Sequence, residues 1–257
     1  MPNATAGNFV WYELYASDPE TAVDFYTHVM GWTTQPFGDA YTMWVGSQGP
    51  LGGTVKLPPE AVKSGAPPNW VGSVLVEDLD ACMQRVGALG GRVTHGPETI
   101  PDVGRLAVVC DPQGAFLNVF QPNGTMERHD SSRPGEFCWR ELMTSDRSGA
   151  FAFYSELFGW RQLDEMDMGP MGTYLLFGFG DAQGERVGGM MKVPPEMPMP
   201  PMWLYYTEVD DLEAATRRAE GRGATVLQGP MDVPGGRVTQ LRDPQGALFS
   251  LHQLRAQ

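Results

Sequence analysis

No stretch of this 257-residue chain is apolar for the roughly 20 residues that a membrane-spanning helix needs. Basic residues are scarce as well: 18 Lys and Arg stand against 31 Asp and Glu, for a formal charge of −13. Nucleic acid and anionic membranes would both repel such a surface, so neither is expected as a partner. The opening Met-Pro-Asn-Ala-Thr has neither the basic nor the apolar part of a secretory leader. Cysteine occurs only at Cys82, Cys110 and Cys138, an odd number at wide spacings in apolar patterns. These read as small core residues of a cytoplasmic protein in reducing surroundings, not as a disulfide framework. The four histidines include no two at ligand spacing, so there is no zinc motif. Ser-His-Asp, Gly-x-Ser-x-Gly and Cys-His arrangements are missing too. The Gly-rich stretch 178–184 has the wrong spacing for a phosphate loop and reads as a hairpin turn.

What the chain does have is repetition. Between Gly7 and Trp32, 12 of 26 positions are identical to their partners between Gly135 and Trp160, 128 residues on. An internal duplication accounts for that. Residues 9–16 alternate, with Val10, Tyr12 and Leu14 on one side and Trp11, Glu13 and Tyr15 on the other, as a two-faced strand does. Asp18 then reads as an N-cap, Pro19 as the first helical residue, and Ala22, Phe25, Tyr26 and Val29 as a buried stripe that Gly31 stops. The same grammar restarts at Trp70 with Asp78, and again with Asp146 and Asp211. The four capping aspartates are 60, 68 and 65 residues apart, so the true repeat is a strand, a helix and three strands, four times over. Gly52-Gly53 and Pro58-Pro59-Glu60 match Gly188-Gly189 and Pro194-Pro195-Glu196, and Asp111-Pro-Gln-Gly114 matches Asp243-Pro-Gln-Gly246, a turn signature. The expectation is an α+β fold of four βαβββ units in two tandem domains, residues 1–122 and 135–257, joined by a polar linker at 123–134. Each unit covers one sheet face with its helix, and paired units would curl mixed sheets around a cavity.

The strands ending in Asp18 and Asp146, the Phe-Tyr helices (Phe25-Tyr26, Phe153-Tyr154), the Gly-Trp stops and the Asp-Pro-x-Gly hairpins resemble the vicinal oxygen chelate superfamily. That superfamily includes glyoxalase I, bleomycin- and fosfomycin-resistance proteins and extradiol dioxygenases. The Trp-x-Glu-Leu openings resemble more narrowly a two-domain glyoxalase-like group. The resemblance implies a small-molecule ligand and, in many members, a metal held by His or Gln on the first strand and Glu on the last. Here those places carry Trp11 and Trp139, Val71 and Leu204, and Asn118 and Ser250. None is a good ligand for a hard or borderline divalent ion, so no cofactor is expected and no metal at that position.

Chemistry then falls to carboxylates and shape. Glu13 and Glu141 sit beside tryptophans on the face expected to line the cavity, Glu141 also beside Met143, and could act as general bases or pair with arginines across the sheet. Trp11 and Trp139 could stack on a flat ligand or simply fill the space. The C-terminal half is richer in proton-moving groups: Tyr206, Glu208, Ser250 and, at the rim, His252, against Ser73 and Asn118 in the N-terminal half. Ten of 15 methionines lie at or beyond Met143, which suits an adaptable apolar pocket or loops anchored on the core. The Pro-Met-Pro-Pro run at 198–201 reads as a stiff lid or wall. Arg140 is out of step: alternation points it at the helix layer, or the faces of that strand are exchanged.

Two readings follow. One is a metal-independent lyase, isomerase or hydrolase with Glu141 or Glu13 as base, acting on a small, largely apolar molecule. The other is a resistance-type protein that sequesters its ligand. A metal-dependent glyoxalase or dioxygenase follows from the resemblance alone. A monomer or a homodimer would fit either of the first two.

Overall fold

The computed structural model describes residues 2–193 and 199–255. The Pro-Pro-Glu match at 194–196, Met197 and the first residue of the expected lid lie outside them. Each capping aspartate opens a helix. Asp18 accepts the N–H groups of Glu20 and Thr21 ahead of α1 (Pro19–Met30), and Asp78, Asp146 and Asp211 accept those of Ala81, Gly149 and Ala214 ahead of α3 (Leu79–Ala88), α4 (Arg147–Phe158) and α5 (Leu212–Gly221). Gly31 and Gly159, at φ 74° and 73°, close α1 and α4 in the left-handed conformation that glycine adopts without strain.

In the first repeat, β1 (Phe9–Ala16) is followed by β2 (Thr33–Phe37), β3 (Tyr41–Gly46) and β4 (Gly49–Lys56). The second has β5 (Asn69–Leu75), β6 (Arg92–Ile100), β7 (Gly104–Cys110) and β8 (Phe116–Pro122). The third has β9 (Phe137–Thr144), β10 (Arg161–Asp167), β11 (Thr173–Phe179) and β12 (Glu185–Lys192), and the fourth β13 (Met202–Glu208), β14 (Thr225–Val233), β15 (Gly236–Arg242) and β16 (Leu248–Leu254). The α+β class and the four βαβββ repeats are as expected. The stretch 178–184 is the β11–β12 hairpin turn, pairing Phe179 with Glu185. A short helix, α2 (Pro59–Lys63), follows β4, and all five residues of β2 are exposed, so that strand carries no apolar alternation. The strands form two tandem eight-stranded mixed sheets, ordered β2-β3-β4-β1-β5-β8-β7-β6 and β10-β11-β12-β9-β13-β16-β15-β14.

Packing groups the chain into two compact units. One comprises Met1–Val10, Gly72–Arg128 and Trp139–Trp203, the other Trp11–Val71, His129–Cys138 and Leu204–Gln257. In the first, the Tyr154 hydroxyl of α4 donates to Asp111 Oδ2 at 3.0 Å and accepts from Trp203 Nε1 at 3.1 Å. The other oxygen of Asp111 takes the N–H groups of Gln113, Gly114 and Ala115 at 2.7–2.9 Å, closing the Asp-Pro-Gln-Gly turn. Trp160 donates to the Gly7 carbonyl at 2.9 Å. In the second unit, Tyr26 of α1 donates to Asp243 Oδ2 at 3.0 Å and accepts from Trp70, while Trp32 donates to the Gly135 carbonyl at 2.7 Å. The Phe-Tyr helix, the Gly-Trp stop and the Asp-Pro-x-Gly turn are therefore parts of one buried device, built once in each unit.

Burial holds the Asp111 and Asp243 carboxyls above the ordinary carboxylate range, although turn N–H groups and the tyrosine pull the other way. The folded state then takes up each proton before the unfolded chain does. That contribution is fully present below the unfolded carboxyl value and is lost as pH rises through the raised one. Asn at either position retains the acceptor but cannot titrate. The stability advantage of the parent over Asp243→Asn, from urea unfolding, should therefore shrink as pH rises from about 3 to 8, and a pH-independent difference would rule the linkage out. Asp243→Ala, which strands the tyrosine hydroxyl and the turn amides, should cost about 3 kcal/mol.

Candidate functional site

The tryptophans of the opening strands are tied by tyrosines that the sequence reading passed over. In the second unit, Trp11 Nε1 donates to Tyr41 Oη at 2.7 Å, and the Tyr41 hydroxyl bonds Glu13 in turn. Burial first, and the Glu13 charge second, hold the Tyr41 phenol well above its usual range, so it remains a donor. In the first unit, Trp139 Nε1 donates to Tyr174 Oη at 2.8 Å, with Glu141 only 7% exposed and Met143 buried on the same strand. The Tyr41 and Tyr174 rings lie across Gly53 and Gly189, where any Cβ would overlap the ring. That is what the repeated Gly-Gly pairs provide. Arg140 lies in the first unit with its guanidinium 5.6 Å from the centre of the Phe9 ring, a cation–π contact.

The shortlisted residues divide between the units. Trp139, Glu141, Met143 and Asn118 lie in the first, where Asn118 donates to Ser73 Oγ at 3.4 Å. Trp11, Glu13, Tyr206, Glu208, Ser250 and His252 lie in the second. There the register sets Tyr206 opposite Ser250, Glu208 opposite His252, and Ser250 opposite Gln240. Alternate residues, Phe249 and Thr239, touch Phe25 of α1 and Thr216 of α5, so the polar set occupies the sheet face away from these helices. His252 Nδ1 stands 2.5 Å from Glu208 Oε2, within hydrogen-bond distance, and the Leu254 N–H fixes Glu208 Oε1 at 2.7 Å. Gln240 donates to Tyr206 Oη at 2.8 Å. The Ser250 hydroxyl, 1% exposed, has no hydrogen-bond partner among the described residues.

One member of this cluster was misread from sequence. Cys82 and Cys110 are buried core thiols as expected, burial pushing Cys82 up to about 11 and Cys110 upward too. Cys138 is only half-buried, and its sulfur, the Glu208 carboxylate and a His252 ring nitrogen all lie within 4.8 Å of one another. Sequence spacing could not join positions 138, 208 and 252. Of the other histidines, His95 pairs with Glu98 at the surface, and His28 lies near Arg222. His129, placed in the linker, pairs with buried Glu136 at 2.9 Å.

The places at which the superfamily resemblance implies a metal do not suit one. The Trp139 indole N–H is committed to Tyr174, Leu204 has no donor atom, and Ser250 offers only a neutral hydroxyl.

The model of the Glyoxalase/Bleomycin resistance protein/Dioxygenase superfamily matches residues 8–119 and 139–251. The chain belongs to that superfamily. It is 33% identical over 247 residues to the glyoxylase-type protein CFP32 of Mycobacterium tuberculosis (strain CDC 1551 / Oshkosh), covering 94% of this chain and 92% of the relative. It is 32% identical over 272 residues to the anthracycline biosynthesis protein DnrV of Streptomyces peucetius, covering 99% and 96%. Among solved structures, the Mn(II)-bound glyoxalase from Novosphingobium aromaticivorans has the same fold at a TM-score of 0.68 and 14% identity, covering 96% of this chain and 82% of that one.

Tyr41→Phe should leave the Trp11 N–H and the Glu13 carboxylate without their common partner and lower stability by about 1–3 kcal/mol in urea unfolding. Gly189→Ala, which drives a methyl into the Tyr174 ring, should cost a similar amount. Unchanged midpoints in both variants would show that these contacts do not hold the strands.

Proposed function

We propose that this protein binds a small, largely apolar organic molecule against the polar face of its C-terminal half and moves a proton on it. The chemistry is of the lyase or isomerase kind and takes no step through the superfamily's metal position. The observation that carries this reading is the Glu208–His252 pair beside the unpartnered Ser250 hydroxyl. With Nδ1–H directed at Glu208, the imidazole has its other nitrogen as a proton acceptor, and the carboxylate balances the charge that forms. Tyr206 and Ser250 would hold the polar end of the ligand. Glu13, held by Tyr41, is better suited to fixing the strand than to abstracting a proton, and Glu141 remains the second candidate base. Full-length likeness to DnrV supports a polycyclic aromatic or hydroxyketone ligand.

A hydroxytetralone, with an exchangeable C–H next to its carbonyl, is a suitable probe. In deuterated buffer with excess chelator, the protein should accelerate deuterium incorporation, read by mass spectrometry. Glu208→Gln should slow that exchange by about 10²–10⁴-fold, the range for a lost acid–base group, while tryptophan quenching reports affinity within a few fold of the parent. Binding without catalysed exchange would favour the sequestering reading, and exchange unaffected by Glu208→Gln would remove the pair from the mechanism.

A further inference from the structure

The two halves can be compared position by position through the alignment of their repeats. Cys138, Glu208 and His252 correspond to Val10, Leu75 and Phe120. The backbone around them is the same: Gly7 N–H and Leu75 N–H bond the carbonyls of Leu75 and Asn8, as Gly135 N–H and Glu208 N–H bond those of Glu208 and Glu136. Even the ring seats match. A Cβ on Gly104 would come within 2.8 Å of the Phe120 ring, and one on Gly236 within 2.5 Å of His252 Nε2. The fold therefore accepts three apolar side chains at these positions, and the thiol, carboxylate and imidazole of the C-terminal copy are not required by packing.

We propose that Cys138, Glu208 and His252 form a binding site for a thiophilic divalent cation of the zinc class. Sulfur, imidazole nitrogen and carboxylate oxygen are the donor set that zinc prefers, and one that magnesium and calcium do not. The donor atoms already lie within 4.8 Å of one another. Two of them are held from behind, as metal ligands usually are: Glu208 by the Leu254 N–H, and the His252 ring by its seat on Gly236. The Cys138 thiol donates to the Tyr206 carbonyl at 3.4 Å; once it gives up that proton to a metal, thiolate and carboxylate together would carry two negative charges on a face where Glu208 is only 3% exposed, and a divalent ion would neutralise both. Three protein ligands leave a fourth position open, and the unpartnered Ser250 hydroxyl lies on the same strand face, two residues from His252. This site is distinct from the superfamily's metal position, where the second unit carries Trp11, Leu204 and Ser250. The cation takes the place of the hydrogen bond between His252 and Glu208, so it inhibits the proton transfer proposed above rather than serving it.

Cobalt(II) alone, titrated into chelator-treated protein without any organic ligand, tests the site by absorption. One equivalent should give tetrahedral visible bands and a thiolate-to-cobalt charge-transfer band in the near ultraviolet. Cys138→Val should abolish the charge-transfer band and weaken zinc, in competition with a chromophoric chelator, by more than about 100-fold, beyond what losing a second-shell partner costs. Glu208→Leu and His252→Phe should weaken zinc comparably. Each installs the residue that the N-terminal copy carries, and circular dichroism confirms folding. Cys82→Ala and Cys110→Ala should leave the bands unchanged. A parent protein without a thiolate band at stoichiometric cobalt, or a band that survives Cys138→Val, overturns the proposal. The two readings fail separately: absent cobalt binding leaves the deuterium exchange standing, and exchange indifferent to Glu208→Gln leaves the cobalt bands standing.

Discussion

A tyrosine hydroxyl donated to a buried aspartate, once in each compact unit, is the contact on which the rest of the structure depends. It ties a helix of one half of the sequence to a turn of the other, Tyr26 to Asp243 and Tyr154 to Asp111. Each carboxylate also closes its own hairpin through the backbone, so removing it would release a turn, a helix and a tryptophan at once. A buried carboxylate without a cation is costly unless its lone pairs are filled. Here they are filled by backbone N–H groups on one oxygen and a phenol on the other, which is why this polar device can sit among the rings of Trp32, Trp44, Trp70 and Phe249.

Much of this was legible in the sequence because the signals are local. Capping aspartates, a left-handed glycine and period-two alternation each act within a few residues, and fourfold repetition multiplies a weak signal. What was not legible is what joins distant residues. The identities of Tyr26 and Asp243 were plain, but nothing in a spacing of 217 says that they touch. β2 follows from the repeat alone: all five of its residues are exposed, so no burial pattern marks them. The Gly-Gly pairs were seen as repeats, yet their purpose depends on tyrosine rings from a neighbouring strand.

The site divides along the same line. Glu208, Ser250, Tyr206 and His252 were readable because alternation on two strands puts them on one face, and a parallel register aligns them. Cys138 was not, since its own strand carries it among apolar neighbours and the residues it stands beside are 70 and 114 positions away. Glu13 and Glu141 drew attention by recurring in both halves. For Glu13 the structure supplies a tyrosine partner, Tyr41, which also takes the Trp11 N–H, and Tyr174 takes that of Trp139.

In a duplicated fold, then, shared residues report what the architecture needs, and departures between the copies report what one copy does in addition. The departure here has a direction in free energy. Burying Leu75 and Phe120 contributes about 1.5–3 kcal/mol apiece in the N-terminal half. Placing a carboxylate and an imidazole at the matching positions forgoes that and adds a desolvation cost, which their mutual hydrogen bond offsets only in part. A half that could have been filled with hydrocarbon instead holds a thiol, an acid and a base within reach of one another, beside a hydroxyl with no partner among the described residues. Packing does not explain that choice.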